Sequence, residues 1–344
     1  MKKLISFFLL ILLSFNSFAQ FEDIFSATKE DANKFISDYT QPLFDGLISA
    51  SNAGWFTTAE PLKPFRVELN ISGSAAFAPA EDEIFTFNEA DYNYLKIDSG
   101  SSTLPTLMGE DAQTRLKVVI PYENDEYKVM EFDAPDGVKE DLPMNAVPAP
   151  AIQLSMGLPL GSELSLRYLP EITDEDGGYV KLFGLGIKHS LTQYFPAPKD
   201  EKGNKTKRHF NLSAFAAFQN IAAGYHDPDD DTAVDFSINT ITMQGIASFD
   251  YKIISLYSSI GVTKGFSSLD VLGTYNYTYV LEDDNGNVIG TLEETITDPL
   301  ELDYDMSGMN AGIGVKLKLF ILTIYADYTI QKYPVAHAGV GLKF

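Results

Sequence analysis

The chain has 344 residues, a formal net charge of −23 at pH 7 and no cysteine. The lack of cysteine excludes disulfides, thiolate metal sites and a lipid anchor attached through a cysteine. The acidic excess would repel the phosphates of nucleic acid, so we expect no nucleic-acid partner.

Residues 1–19 have the layout of a cleaved secretory signal peptide. Two lysines precede an apolar stretch at 4–13, and the small residues Ser17 and Ala19 follow. The apolar stretch is about half as long as the roughly 20 residues that a membrane-spanning helix requires. We therefore expect cleavage after Ala19 and export of the rest of the chain.

Residues 20–60 have the pattern of two short helices. Thr28 can cap the first helix, Phe35 and Tyr39 share one of its faces, and Pro42 can begin the second. The segment either rests against the periplasmic base of the domain that follows or lies inside that domain as a plug. The sequence leaves both interpretations open.

Trp55, the only tryptophan, stands shortly before the first predicted strand. Tryptophan combines a large apolar ring with one N–H donor, and it is enriched where a membrane meets water. We therefore predict that Trp55 is an interfacial anchor, with stacking on a ligand as the alternative.

Residues 61–344 contain ten segments in which apolar and polar side chains alternate. In one of them Ile313, Val315 and Leu317 share a face, and Lys316 and Lys318 lie on the other. This period of two is typical of strands with one face in lipid. Because lipid cannot pair a free sheet edge, such strands must close on themselves. We predict an all-β fold, a transmembrane antiparallel β-barrel of ten strands behind a short N-terminal helical segment.

Four further stretches also have the composition of strands, at 84–97, 115–132, 273–281 and 287–296. They could raise the number of barrel strands to 12 or 14. Their faces are poorly apolar, so we interpret them mainly as extensions that stand above the membrane.

The predicted connections differ in charge between the two ends of the barrel. Residues 79–147, 171–178, 221–239 and 282–306 lie at one end and carry 34 of the 48 acidic residues. An outer-membrane barrel has short periplasmic turns and long outer loops, whereas a secreted β-sandwich does not sort its loops in this way. We therefore predict a protein of the cell outer membrane, with membrane lipid as a partner.

Charged residues on the polar faces of the predicted strands would line the lumen. These candidates are Arg66, Glu68, Glu163, Arg167, Lys316, Lys318 and Asp327. They either pair across a filled lumen and only stabilise the barrel, or line a polar path that selects a solute.

The sequence offers little for metal binding or catalysis. Asp227, Asp229 and Asp231 form a weak calcium candidate, but the loop lacks the turn glycine and the final bidentate acid of an EF-hand. No nucleophile motif flanks any of the four histidines, and no glycine pattern for a nucleotide is present. We predict no metal, no cofactor and no enzymatic activity.

The chain ends on an alternation of apolar residues that includes Val340, Leu342 and the terminal Phe344. This ending resembles the C-terminal signature of outer-membrane β-barrel proteins, which the barrel-insertion machinery recognises. The resemblance implies that these three residues are an insertion signal and that the machinery is a partner.

The helical segment, the stretch Gly54 to Ala59 and a first strand near Phe65 together resemble an uncharacterised family of Gram-negative outer-membrane barrels, a domain of unknown function. The layout is also loosely similar to fatty-acid-transporter-type barrels. The first resemblance implies a location and no activity. The second implies that an N-terminal hatch fills the lumen.

The leading hypothesis is passive transport of a small or hydrophobic solute through a lumen gated by residues 20–60. The alternative is a closed structural or surface-interaction barrel that transports nothing. An outer-membrane hydrolase is a third hypothesis.

Overall fold

The computed structural model describes residues 29–122, 125–141, 144–174, 177–198, 208–226, 232–282 and 288–344. Within these ranges it contains one α-helix, α1 (Lys29–Ser51), and seventeen strands. The strands are β1 (Val67–Phe77), β2 (Ile84–Thr86), β3 (Leu95–Ser99), β4 (Thr103–Pro105), β5 (Arg115–Tyr122), β6 (Asp125–Asp133), β7 (Ala146–Leu158), β8 (Ser162–Thr173), β9 (Gly178–Ser190), β10 (Phe210–His226), β11 (Ala233–Asp250), β12 (Ile254–Leu272), β13 (Thr274–Glu282), β14 (Val288–Thr297), β15 (Leu300–Leu319), β16 (Leu322–Ile330) and β17 (Val335–Lys343).

Ten of these strands form a closed antiparallel barrel, which confirms the predicted fold class and strand number. Their order around the barrel is β1, β17, β16, β15, β12, β11, β10, β9, β8 and β7, and β7 pairs with β1 to complete the circle. The short connections 159–161, 251–253 and 320–321 lie at one end, here called the turn end, together with the start of β1 and the end of β17. The opposite end is called the loop end.

The outer face of the barrel is apolar and the inner face is polar. On β15, Met309, Ile313 and Leu317 are exposed, whereas the intervening Asn310 and Lys316 are buried. The exposed apolar positions from 309 to 317 fall within one stretch of nine residues, close to the 9–11 that a tilted strand needs to cross a bilayer. Helix α1, the helix described, is not apolar and long enough to span a membrane.

The additional stretches of strand composition form small sheets at the loop end, outside the barrel. Strands β14, β13, β6, β5 and β3 make one five-stranded sheet, and β2 pairs with β4. The larger sheet combines strands from the two longest acidic loops. It agrees with the interpretation of these stretches as extensions beyond the barrel wall.

Residues 29–51 form one helix, so the prediction of two short helices is wrong. Pro42 lies within α1, where it removes the backbone hydrogen bond to the carbonyl of Asp38. Phe35 before the proline and Phe44 after it belong to the same hydrophobic core, which also contains barrel and loop side chains. Burial on both sides of Pro42 keeps the two halves of the helix in line.

Candidate functional site

Helix α1 lies inside the barrel, and its N-terminal part is fixed at the loop end. The carboxylate of Asp31 is buried and accepts the backbone N–H groups of residues 93–95 at 2.7 to 3.0 Å. Asn33 donates to the carbonyl of Pro299, which precedes β15, at 2.9 Å. These contacts join the helix to both long loops.

Apolar contacts hold the middle of α1 against the inner face of the wall. Phe44 stacks on Tyr304 with ring centroids 4.2 Å apart, and the ring of Phe236 lies 5.5 Å from it in a tilted arrangement. Ile48 occupies the space next to Gly265, where a Cβ atom would lie only 2.4 Å from its side chain. The loop-end half of the lumen is therefore filled by an apolar core.

Lys332 links α1 to the barrel rim from the turn between β16 and β17. Its Nζ lies 2.7 Å from Asp45 of the helix and 3.7 Å from Asp82 of the first long loop. Burial lowers the pKa of Lys332, but the hydrogen bond to Asp45 and the nearby carboxylates raise it by a larger amount. The net change in the pKa is therefore upward. The lysine therefore remains charged at neutral pH.

Arg167 receives the C-terminal end of the helix in the middle of the lumen. Its guanidinium donates to the carbonyls of Ser51 at 3.0 Å and Ala53 at 2.7 Å. It also donates to the side chains of Gln153 at 3.0 Å and Gln219 at 3.2 Å. A cation beside the last carbonyls of a helix is favourable because those groups carry partial negative charge.

Trp55 is inside the lumen, so the prediction of an interfacial anchor is wrong. Its side chain is only 2% exposed, and the Arg167 guanidinium lies 3.9 Å from the ring centroid. The benzene edge fills the space beside Gly184 and Gly186 of β9, where added Cβ atoms would lie 2.9 and 3.1 Å away. Cation–π attraction and the two glycines together place the ring.

Two buried ion pairs hold the inner segment, residues 52–64, at the turn end. Lys316 Nζ lies 2.6 Å from Glu68 and donates to a threonine hydroxyl of the inner segment at 2.9 Å. Lys188 Nζ lies 2.9 Å from Glu163, which also accepts a backbone N–H of the inner segment at 2.7 Å. Each pair thus has additional hydrogen bonds, as buried charges require.

Asp250 is a third anchor for the inner segment. Its carboxylate accepts from Thr58 at 2.8 Å and from Asn211 at 2.9 Å, and Lys318 Nζ lies 3.2 Å away. Arg66 differs from the other lumen candidates, because it precedes β1 and is exposed at the mouth of a cavity. The remaining candidates lie on the inner face of barrel strands.

Asp327 belongs to a buried polar group that the sequence did not indicate. It accepts from the hydroxyl of Tyr257 at 2.8 Å, and Nδ1 of His337 lies 2.7 Å from its carboxylate. The imidazole packs against Gly54, which has a φ of 73°, and a Cβ there would lie 2.1 Å from Nε2. The inner segment can pass His337 only because residue 54 has no side chain.

The histidines do not assemble a hydrolytic triad within the described part of the chain. His189 Nδ1 lies 2.8 Å from the hydroxyl of Ser162, but Nε2 faces the hydroxyl of Tyr194 at 3.0 Å and the amide of Gln193. An acid is absent from these contacts of the imidazole. Nor do three or more acidic or histidine side chains there lie close enough together to hold a metal ion.

The barrel wall is unpaired along one seam, defined as residues 146–152 of β7 and 168–173 of β8. Pairing between the two strands extends from the turn end only as far as Gln153 and Arg167. On its other edge, β7 stays paired with β1 throughout 146–156. In the described structure the two strands therefore separate towards the loop end.

Prolines explain the seam. Continuing the register of the paired half would place Pro150 opposite Pro170, and Pro148 lies on the same edge of β7 as Pro150. Proline has no backbone N–H, and alternate residues of a strand direct this group to the same neighbour. Since β7 keeps its bonds to β1, the missing donors are those that would face β8.

A small apolar pocket lies behind the seam, between the wall and α1. It has a free volume of about 30 Å³. Its walls include Leu47 and Ala50 of the helix, Ala149 of the seam, Ile221 of β10 and Ile238 of β11. The seam thus borders a largely apolar space, although Arg167 and Gln219 also line it.

Two groups of predicted residues remain. Val340, Leu342 and Phe344 are exposed at the turn end, and their role as an insertion signal stays a prediction. The calcium candidates Asp227, Asp229 and Asp231 and the signal at 1–19 lie outside the described residues.

No curated protein sequence matches the chain. Solved structures that it resembles include Ail, the attachment invasion locus protein of Yersinia pestis, at 11% identity and a TM-score of 0.27, over 82% of this chain and 99% of that one. A FadL homologue of Pseudomonas aeruginosa matches at 10% identity and a TM-score of 0.20, over 81% and 89%. An outer membrane channel from Pseudomonas putida F1 matches at 9% and 0.20, over 85% and 99%. The model of a family of unknown function, DUF6588, matches residues 1–344, so the chain belongs to that family.

Proposed function

We propose that this member of a family of unknown function is an outer-membrane barrel that admits a small hydrophobic solute sideways, through the seam. In this proposal α1 is the plug that closes the lumen. The observation that carries it is the unpaired seam, which connects the outer face of the wall with an apolar pocket beside α1.

The outer surface supports the membrane location. Phe218 of β10 and Ile241 of β11 are exposed among other large apolar side chains on the wall. In water such a continuous apolar surface would be unfavourable, whereas in lipid it is matched. The acidic loops would then face outward, and the barrel-insertion machinery would read the end of β17.

The height of the seam suits access from the outer part of the membrane. Ile152 and Tyr168, which would be the first unpaired couple, are exposed apolar or aromatic side chains on the outer face. The next pair of outward-facing side chains towards the loop end, on β8 and β9, is charged. In it Lys181 Nζ lies 3.0 Å from the carboxylate of Glu171. The change from apolar to charged side chains indicates the outer edge of the apolar band, so the seam begins where lipid meets water.

The plug argues against a permanent open pore through the centre. Each large apolar side chain that α1 buries contributes about 1.5–3 kcal/mol, so withdrawing Phe35, Leu43, Phe44 and Ile48 would cost on the order of 10 kcal/mol. A small sideways displacement near Leu47 and Ala50 would disturb far fewer contacts. A hydrophobic solute is therefore expected to pass beside α1 and to leave the plug in the barrel.

A reversible staple across the seam tests this proposal. The chain has no cysteine, so Ile152→Cys with Tyr168→Cys introduces a single possible disulfide across the first unpaired couple of the seam and leaves its prolines in place. The matched control is Leu154→Cys with Leu166→Cys, which are partners in the paired half of the same two strands. Uptake of a fluorescent hydrophobic solute into liposomes containing the protein is the measurement.

Oxidation should stop uptake by the seam variant, reduction should restore it, and the control should transport in both states. Equal uptake by the oxidised and reduced seam variant would refute the lateral route. If no protein, including the unmodified one, gives uptake above empty liposomes, the closed structural barrel is the better assignment.

Electrical recording tests the plug separately. In planar bilayers the full-length protein should give no steady conductance, whereas deletion of residues 20–60 should produce discrete steps, because it empties the lumen. Steady conductance of the intact protein would contradict the role of α1 as a plug.

A further inference from the structure

We propose that the cavity at the turn end, remote from the seam, is a binding site for a small organic anion with an apolar body. The cavity has a volume of about 440 Å³ and opens between the inner segment and the barrel wall. This size falls within the range of ordinary ligand pockets. The proposal does not depend on the seam, and a sealed wall would leave it intact.

The charge of the cavity is opposite to that of the whole protein. Its walls include seven of the 25 lysines and arginines but only three glutamates, in a chain of net charge −23. The seven basic residues are Lys63, Arg66, Lys188, Lys252, Lys316, Lys318 and Lys343. Such a concentration of one sign in a recess attracts anions.

Not all of these cations are used to hold the barrel together. Lys188, Lys316 and Lys318 form the ion pairs with Glu163, Glu68 and Asp250 described above. Within the described ranges, the other four have no carboxylate within 4.0 Å. They stand near the mouth, where Arg66 and Lys343 flank the paired ends of β1 and β17.

One buried donor in the cavity wall supports an anionic ligand. Trp55 Nε1 has no hydrogen-bond partner among the described residues, although the side chain is more than nine-tenths buried. The benzene edge of Trp55 faces Gly184 and Gly186, so its N–H edge is directed away from β9. An unpaired buried donor is unfavourable, and an anionic oxygen is the acceptor that suits it best.

The walls also explain why the ligand should carry an apolar part. Trp55, Phe56, Tyr251, Phe320 and Tyr325 contribute aromatic surface to the same cavity. An inorganic anion would leave that surface without a partner, whereas a carboxylate or phosphate ester with a short hydrocarbon chain would contact both kinds of group. The site therefore fits an amphipathic carboxylate or phosphate.

Tryptophan fluorescence gives a direct test, because Trp55 is the only tryptophan and lies in the cavity wall. Purified full-length protein in a non-ionic detergent is titrated with octanoate, octyl phosphate, inorganic phosphate and octyltrimethylammonium. Octanoate and octyl phosphate should each give a saturable change. Inorganic phosphate should require a much higher concentration, and the cation should give no saturable change.

The double variant Arg66→Gln with Lys343→Gln should bind octanoate roughly tenfold more weakly. The control Lys181→Gln with Lys264→Gln removes the same charge from exposed positions outside the cavity and should bind like the unmodified protein. Heat-modifiable migration on gels verifies that each variant is folded. Unchanged affinity of the folded cavity variant, an equal response to the cation, or the absence of any saturable change would overturn the proposal.

Discussion

The two halves of the lumen hold α1 and the inner segment by different means. In the loop-end half, Phe44 and Ile48 of α1 pack against apolar side chains of the wall. In the turn-end half, the inner segment donates hydrogen bonds to Glu163 and Asp250 and accepts one from Lys316, the ion-pair partner of Glu68. Apolar contacts tolerate small displacements, whereas buried ion pairs require a fixed geometry.

The difference indicates which part of the lumen filling is the easier to displace. The seam and its apolar pocket adjoin α1, in the half where contacts are not directional. The charged half would keep the inner segment in place while α1 shifts, with Arg167 at the boundary between them. Substitutions in the two halves should therefore have different consequences.

Arg167→Met should have the largest effect, because it removes contacts of both halves at once. It leaves the Ala53 carbonyl and the side-chain oxygens of Gln153 and Gln219 without this donor, whereas the Ser51 carbonyl keeps the amide of Gln219. Each buried orphan costs about 1–3 kcal/mol. We expect the free energy of unfolding to fall by about 5 kcal/mol in urea titrations of the detergent-solubilised barrel. The control Arg66→Met, at an exposed position, should change it by less than about 0.5 kcal/mol. A loss below about 1 kcal/mol for Arg167→Met would contradict the role of a boundary anchor.

Phe44→Ala tests the apolar half. The aromatic side chain is buried and packs against Tyr304 and Phe236. Truncating such a residue costs about 3–5 kcal/mol through lost transfer energy and the cavity left behind. The same titration measures it, with Phe320→Ala at a 98% exposed turn position as the control. If the variant also raises the rate of solute uptake, the mobile half of the plug is identified.

The sequence was sufficient to predict the barrel because the alternation of apolar and polar residues is typical of a wall with one face in lipid. The ten segments each carry an apolar face, and acidic loops separate one end from the other. The inward position of Glu163 or Lys316 follows from the same alternation. Their ion-pair partners cannot be predicted from the alternation, because a pair such as Lys316 and Glu68 depends on which strands meet across the lumen.

The wrong predictions concern residues outside that periodic pattern. Trp55 has the side chain expected of an interfacial anchor. Gly184 and Gly186, which are far away in sequence, leave the space inside the lumen that its ring occupies. Pro42 is compatible with a helix start, and only the shared core shows that the helix continues. Pro150 and Pro170 are visible in the sequence, yet their opposition requires the register of β7 and β8.

Lys316→Met tests the charged half and should cost about 3 kcal/mol, because it leaves Glu68 buried without its cation. The double variant with Glu68→Gln should recover part of that loss, since no uncompensated charge remains. Urea titrations of the single and double variants give the coupling. If the two losses simply added, the pair would not be the anchor of the inner segment.

Asp31→Asn should have the smallest effect, and a local one. The amide keeps one acceptor for the N–H groups of residues 93–95 but loses the charge that strengthens those bonds, so we expect a cost of about 1 kcal/mol. Hydrogen exchange should quicken at the amides of 93–95, while the amides of β12 and β15 keep their protection, because the contact lies outside the wall. The control is Asn33→Asp, two residues further along the same helix. It should weaken the contact to the carbonyl of Pro299 and leave the exchange rates of the amides of 93–95 unchanged. Faster exchange throughout the barrel wall would instead mean that the fixed N-terminal part of α1 supports the entire barrel.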